Sequence, residues 1–108
     1  MSDEAIKKRR ARASDPDAEA RALKRQVKQA QQKVIDKFRG AGYYIIDSND
    51  NPFSFIGVRR VDIRFIRVLL GKADPGIIKI IKRAACPANC TKEIWERQEK
   101  GFVFTEIK

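Results

Sequence analysis

Two thiols and a large excess of cationic side chains are the groups in this sequence whose chemistry can be predicted directly. Cys86 and Cys90 are four residues apart, a spacing compatible with a pair of zinc ligands. The sequence contains no histidine, so a tetrahedral zinc site would be two ligands short unless a second subunit supplied them. We therefore expect no metal site here and interpret both residues as ordinary thiols.

The charge balance favours a polyanionic partner. Lysine and arginine number 24 and aspartate and glutamate 14, which gives a net charge of +10. Nucleic acid is preferred over a membrane surface, because no amphipathic helix carries a strong aromatic face. The sequence also lacks the apolar run of a membrane span and starts with Met-Ser-Asp-Glu rather than a basic signal-peptide region. We expect a cytoplasmic protein.

The N-terminal third of the chain predicts a basic arm followed by one long helix. Residues 1–14 carry five cations and almost no large apolar side chain, so we expect this arm to be disordered. Residues 15–108 then form a single domain. Asp15 and Pro16 favour a helix start, and glycines at 40 and 42 favour its end. Such a helix spans about 36 Å and overhangs a small sheet, so its first turns could pack on a second subunit to form a homodimer.

The remainder of the chain predicts five strands and a second helix. Two β-rich runs, 53–58 and 63–70, are separated by a short basic connection and predict a central hairpin covered on both faces. A short strand at 43–47 precedes them, and a helix capped by Asp74 with Pro75 at its first position follows. Strands at 92–98 and 102–107 complete the order α-β-β-β-α-β-β.

This order, together with several local segments, resembles the small single-domain PD-(D/E)xK nucleases, near the archaeal Holliday junction resolvases and the virus-type replication-repair nucleases. The resemblance covers residues 24–107. It implies a restriction-endonuclease-like α/β fold with a central mixed sheet flanked by two helices. The segments that carry it are Gly42-Tyr43-Tyr44, Asn51-Pro52-Phe53-Ser54-Phe55-Ile56-Gly57-Val58, Ile63-Arg64-Phe65-Ile66-Arg67-Val68, Lys92-Glu93-Ile94-Trp95-Glu96 and Gly101-Phe102.

The chain departs from that family at the positions whose side chains bind the metal ion in the family. The resemblance implies an acidic residue in the second strand, a Glu/Gln-x-Lys triplet in the third and often a glutamate in the first helix. Here Ser54 stands at the first position and Arg67-Val68-Leu69 at the second. The helix position falls among Gln29, Gln31 and Gln32. A cation in place of a metal ligand repels Mg²⁺, so we expect no catalytic residues, no cofactor and no ordinary nuclease activity.

The same substitutions predict a positive surface. We expect the protein to bind DNA, linear or branched, through its phosphates rather than through base edges. The candidate nucleic-acid-binding residues are Arg25, Lys28, Lys33, Arg59, Arg60, Arg64, Arg67 and Lys72.

Two alternatives remain open. One is an active Mg²⁺-dependent endonuclease or junction resolvase in which Asp47, Asp50 or Asp62 supplies displaced ligands. The other is a protein-interaction module, in which Ser54 and Leu69 are buried together and the hairpin arginines do not form one surface.

Overall fold

The structure is a computed structural model that describes residues 16–50 and 52–108. The predicted basic arm at 1–14 and the predicted helix cap at Asp15 lie outside these residues. The elements in chain order are α1 (Pro16–Gly40), β1 (Tyr44–Asp47), β2 (Phe55–Arg59), β3 (Asp62–Leu70), α2 (Pro75–Arg83), β4 (Cys90–Gln98) and β5 (Gly101–Glu106). The predicted order is confirmed.

The five strands form one mixed sheet in the order β1-β2-β3-β4-β5. Strands β1, β2 and β3 are antiparallel neighbours, and β5 is antiparallel to β4. The pair β3–β4 is parallel, because α2 carries the chain back across the sheet between them. The predicted hairpin is β2–β3, with Phe55 opposite Ile66 and a two-residue turn at Arg60 and Val61. The predicted α/β fold with a central mixed sheet is confirmed.

One face of the sheet packs against α1 through a cluster of aromatic rings. Phe38 lies at its centre, with ring centroids 4.9 Å from Tyr43, 5.3 Å from Phe55 and 5.6 Å from Trp95. Gly57 lets the helix approach this closely, because a Cβ there would lie 2.9 Å from Cδ2 of Phe38. Any larger residue at position 57 therefore displaces the central ring.

The other face is covered by α2. Asp74 caps this helix by accepting a hydrogen bond from the backbone N–H of Ile77 at 2.8 Å, and Pro75 occupies the first turn. Ile81 is buried with Phe53 and Ile94. The central strands are thus covered on both faces, which explains their nearly continuous apolar sequence.

Helix α1 extends well beyond the sheet. No side chain from Asp17 to Gln29 is buried, and Leu23 on its apolar stripe is 56% exposed. Ala30 is the first residue that packs completely into the core. At the rise of an α-helix, the part from Pro16 to Gln29 is roughly 21 Å long. We call it the projecting half of α1.

Candidate nucleic-acid interface

A groove of about 840 Å³ runs between α1 and the connection from β1 to β2. Lys24, Lys28 and Arg39 line it from the helix, where a spacing of three to four residues keeps side chains on one face. Asp47 and Asp50 line the opposite wall. The groove is therefore cationic on its helical side and acidic on its loop side.

Ser54 lies at the floor of the groove in a closed set of hydrogen bonds. Its hydroxyl donates to Oδ1 of Asp50 at 2.6 Å and accepts from the backbone N–H of Val68 at 3.0 Å. The side-chain amide of Gln31 donates to both carboxylate oxygens of Asp50, at 2.9 and 3.0 Å. The serine is 5% exposed. These contacts tie α1 to the loop and to β3.

Gln31 and Val68 are the implied metal-site positions that contact Ser54. The remaining positions make their contacts elsewhere. Arg67 donates from Nη1 to the carbonyl oxygens of Asp50 and Pro52, at 3.0 and 2.9 Å, and so holds the loop backbone. Leu69 packs in the apolar cluster beneath α2. Gln29 is exposed beside a different hollow, and Gln32 is exposed and donates to Asp36 at 2.8 Å.

These residues do not fit the divalent cation that the resemblance associates with catalysis. The cluster at Ser54 supplies one carboxylate, that of Asp50, and both of its oxygens already accept hydrogen bonds. The guanidinium of Arg67 donates a hydrogen bond to the backbone carbonyl oxygen of Asp50. Among residues 16–50 and 52–108, no group of three or more Cys, Asp and Glu side chains is arranged to hold a metal. Mg²⁺ prefers several oxygen ligands, at least one of them an uncommitted carboxylate.

Two of the hairpin arginines belong to a network around Tyr43. Arg64 contacts Asp62 at 3.3 Å and Glu93 at 3.4 Å. Arg59 lies 4.7 Å from the centre of the Tyr43 ring and donates to the carbonyl oxygen of Ala41 at 2.9 Å. The Tyr43 hydroxyl donates to Asp62. Burial, followed by this hydrogen bond, raises the pKa of Tyr43 above its usual 10.0.

The Tyr43 network predicts a specific loss of stability in acid. The hydrogen bond from Tyr43, then the contacts with Arg64 and Arg59, lower the pKa of Asp62 below its usual 3.8. A lowered folded-state pKa means that the ionised form stabilises the fold above pH 3.8, and this contribution is lost as the pH falls through the folded-state pKa. In urea denaturation from pH 6 to 3, the wild-type protein should lose more unfolding free energy than Asp62→Asn.

Asp36→Asn is the matched control for this measurement. Asp36 is exposed on α1 and, within the described part of the chain, has no cationic partner within 4 Å. Its pH profile should run parallel to that of the wild type. Parallel profiles for Asp62→Asn and the wild type would contradict the role given to Asp62.

The predicted cationic residues therefore separate into two kinds. Arg59, Arg64 and Arg67 are held by internal contacts, and Arg64 and Arg67 lie three residues apart on β3, so they leave opposite faces of the sheet. The remaining five are exposed and make no ion pair with any residue in the ranges that the structure covers. These are Arg25, Lys28 and Lys33 on α1, Arg60 at the hairpin turn and Lys72 after β3.

The hairpin arginines thus do not form one surface, which is the arrangement expected of a protein-interaction module. Ser54 and Leu69, however, lie in different clusters, which that alternative did not expect. Lys24 and Arg39 were missing from the predicted set. The sequence could have indicated them, because Lys24 is four residues before Lys28 and Arg39 is four residues after Ile35. Residues four apart share a helical face.

The two cysteines are half-buried free thiols. Burial and the neighbouring Cys90 thiol raise the pKa of the Cys86 thiol, which disfavours the thiolate that a metal requires. Within residues 16–50 and 52–108, neither helix is both long enough and apolar enough to span a membrane.

Comparison with models of known protein families finds no match, and no curated protein matches the chain. The resemblance to PD-(D/E)xK nucleases consequently depends on the residue pattern and the order of the elements.

Proposed function

We propose that this protein binds DNA through the phosphate backbone, using the projecting half of α1 as its main contact surface. The observation that carries the proposal is the charge of this helix. From Ala20 to Ile35 it contains five cations and no acidic residue. Four of the cations, Arg21, Lys24, Arg25 and Lys28, lie in the projecting half, and Lys33 follows it; all five are exposed.

The geometry of α1 supports the same proposal. The half that follows the projecting half is anchored in the core by Val34 and Phe38, so the cations sit on a helical rod that is held at one end by the sheet. A rod of this kind keeps a fixed spacing between its charges, which favours contact with a regular polyanion. Because phosphate contacts position a protein without reading bases, we expect binding that depends on DNA structure more than on sequence.

We further propose that binding occurs without phosphodiester hydrolysis. Such hydrolysis in the similar nucleases uses hard cations held by carboxylates. The equivalent region here holds Ser54, Gln31 and a hydrogen-bonded Asp50. These groups brace the loop against α1, a structural role in which both oxygens of the Asp50 carboxylate already accept hydrogen bonds. A cytoplasmic location and a homodimer, formed through the exposed Leu23 stripe of α1, are part of the same proposal.

The salt dependence of binding tests the proposal. Four to six phosphate contacts predict a plot of log affinity against log salt with a slope of about −4 to −5 on duplex DNA. The measurement is fluorescence anisotropy with a linear duplex and a four-way junction, at salt concentrations from about 0.05 to 0.2 M. Absence of binding to both DNAs in low salt at micromolar protein would overturn the proposal.

Cleavage assays on the same DNAs distinguish binding from the endonuclease alternative. The groove does contain Asp47 beside Asp50, so Mg²⁺ and Mn²⁺ are both to be included. We expect intact DNA under all conditions. Cleavage that disappears with EDTA and in Asp50→Asn would show instead that displaced ligands support catalysis.

A further inference from the structure

An aromatic ring with one open face lies on the sheet beside α1. Phe104 of β5 stacks on Trp95 of β4, with ring centroids 4.8 Å apart and planes inclined by 15°. Trp95 is 6% exposed, whereas Phe104 is 54% exposed. Since the indole covers one face of the phenyl ring, the exposed area lies on the opposite face. A flat aromatic surface held on a strand in this way is a typical support for a nucleobase.

The aromatic surface continues along β5. Phe102 precedes Phe104 by two residues, so both side chains leave the same face of the sheet about 7 Å apart. The Phe102 ring centroid lies 6.4 Å from that of Trp95. We call the two phenylalanines and the tryptophan beneath them the aromatic platform.

Cations border the aromatic platform. Lys37 of α1 places its Nζ 5.6 Å from the centre of the Trp95 ring, and Lys33 lies one helical turn before it. Arg97 is opposite Phe102 in the strand register and also lines a hollow of about 710 Å³ between the sheet and Gln29 of α1.

Acidic groups also lie near the platform, and Glu99 lines the same hollow as Arg97. Glu99 precedes β5 and Glu106 ends it, so these carboxylates lie towards the two ends of the strand. Glu93 is on the same face but is bonded to Arg64 and to the indole N–H of Trp95. The middle of the platform is therefore open and apolar, with Lys37 and Arg97 beside it.

We propose that the aromatic platform binds single-stranded DNA, with a base stacked on Phe104 and the phosphates along Lys33, Lys37 and Arg97. The proposal rests on the proposed function, since it takes DNA as the ligand, and adds a preference for unpaired nucleotides. The positive border complements a polyanion rather than a neutral apolar peptide. Bases in a duplex are already stacked on each other and cannot use this surface, whereas the unpaired bases of a single strand can.

The test compares Phe104→Ala with Val103→Ala. Val103 is the neighbouring residue on β5, is 47% exposed and leaves the opposite face of the sheet. The probes are a labelled oligothymidylate of about 16 nucleotides and a labelled duplex of the same length, both followed by anisotropy. Because Trp95 is the only tryptophan, its emission reports directly on a strand bound at the platform.

We expect Phe104→Ala to weaken oligothymidylate binding by roughly 5- to 150-fold and to leave duplex affinity and its salt slope unchanged. Val103→Ala should change neither, and the emission of Trp95 should shift when unlabelled oligothymidylate is added to the wild type. If Phe104→Ala and the wild type bind the single strand with equal affinity, the proposal that the aromatic platform binds single-stranded DNA is overturned.

Two further outcomes separate this inference from the proposed function. Duplex binding without measurable affinity for the single strand would reject the platform and leave DNA binding intact. If the wild type binds neither probe, the aromatic platform and the proposed DNA-binding function are both rejected. Because β5 is an edge strand, size-exclusion chromatography with light scattering completes the test. A dimer that dissociates in Phe104→Ala would assign the surface to a second copy and overturn the proposal.

Discussion

Replacing Phe38 with alanine is expected to lower the free energy of unfolding by about 3–5 kcal/mol. Phe38 is 4% exposed and contacts three aromatic rings from the segment after α1, from β2 and from β4. Its removal leaves a cavity that several elements share, so none can collapse into it alone. A domain of this size is stabilised by only about 5–15 kcal/mol, and the loss therefore approaches global unfolding.

Leu23→Ala is the matched control, because Leu23 belongs to the same apolar stripe of α1 but is 56% exposed. Both substitutions introduce alanine into the same helix and improve or preserve its helix propensity. Any difference between the unfolding free energies of the two variants therefore reflects the different burial of Phe38 and Leu23. At a protein concentration at which the wild type is monomeric, urea denaturation followed by circular dichroism should place Leu23→Ala within about 0.5 kcal/mol of the wild type. Similar losses in the two variants would contradict the packing described for α1.

Replacing Lys24, Arg25 and Lys28 together with glutamine is expected to weaken duplex binding on the order of 100-fold at about 0.1 M salt. Each cation that contacts one phosphate contributes about 0.9 to the salt slope, so three lost contacts reduce the magnitude of the slope by about 2.7. Glutamine preserves helix propensity and leaves the projecting half of α1 folded. The measurement is anisotropy with the linear duplex across a salt series.

The control is a second triple variant, in which Lys79, Lys82 and Arg83 of α2 become glutamine. These residues are exposed on the helix that covers the opposite face of the sheet. Both variants lose three charges, so the change in net charge is the same and only the location differs. We expect the α2 variant to keep most of the affinity and a slope near the wild-type value. Equal effects would show that overall charge, and not the projecting half of α1, determines binding.

The secondary structure was largely predictable because its signals are local. The apolar spacing of α1, the proline after Asp74 and the continuous apolar runs of β2 and β3 each depend on residues close in sequence. Their physical origin is backbone sterics, capping and the burial of one or both faces of an element. The parallel pairing of β3 with β4 followed from the helix between them, since parallel neighbours need a long crossover connection.

The candidate site was less predictable because it depends on which distant residues meet. The sequence suggested one positive surface that included Arg59, Arg64 and Arg67. In the folded protein the first two face Tyr43 and Asp62, and the third binds the carbonyl groups of the loop before Ser54. Asp62 is close in sequence to Arg59 and Arg64, but the Ala41, Asp50 and Pro52 carbonyls and the Glu93 carboxylate lie 15 or more residues from the arginines that they bind. Sequence spacing does not show partners at that distance.

The sequence by itself determined the net positive charge, the number and order of the elements, and the run from Ala20 to Ile35 that contains cations without acids. These properties depend on composition and on local periodicity. Only the tertiary structure decided that the cations of α1 stay exposed while Arg64 and Arg67 are held by internal contacts, and that Phe104 stacks on Trp95 with one face open. The reason is that exposure and ring stacking depend on contacts between different elements. The elements β4, β5 and α1 contact one another only in the folded sheet.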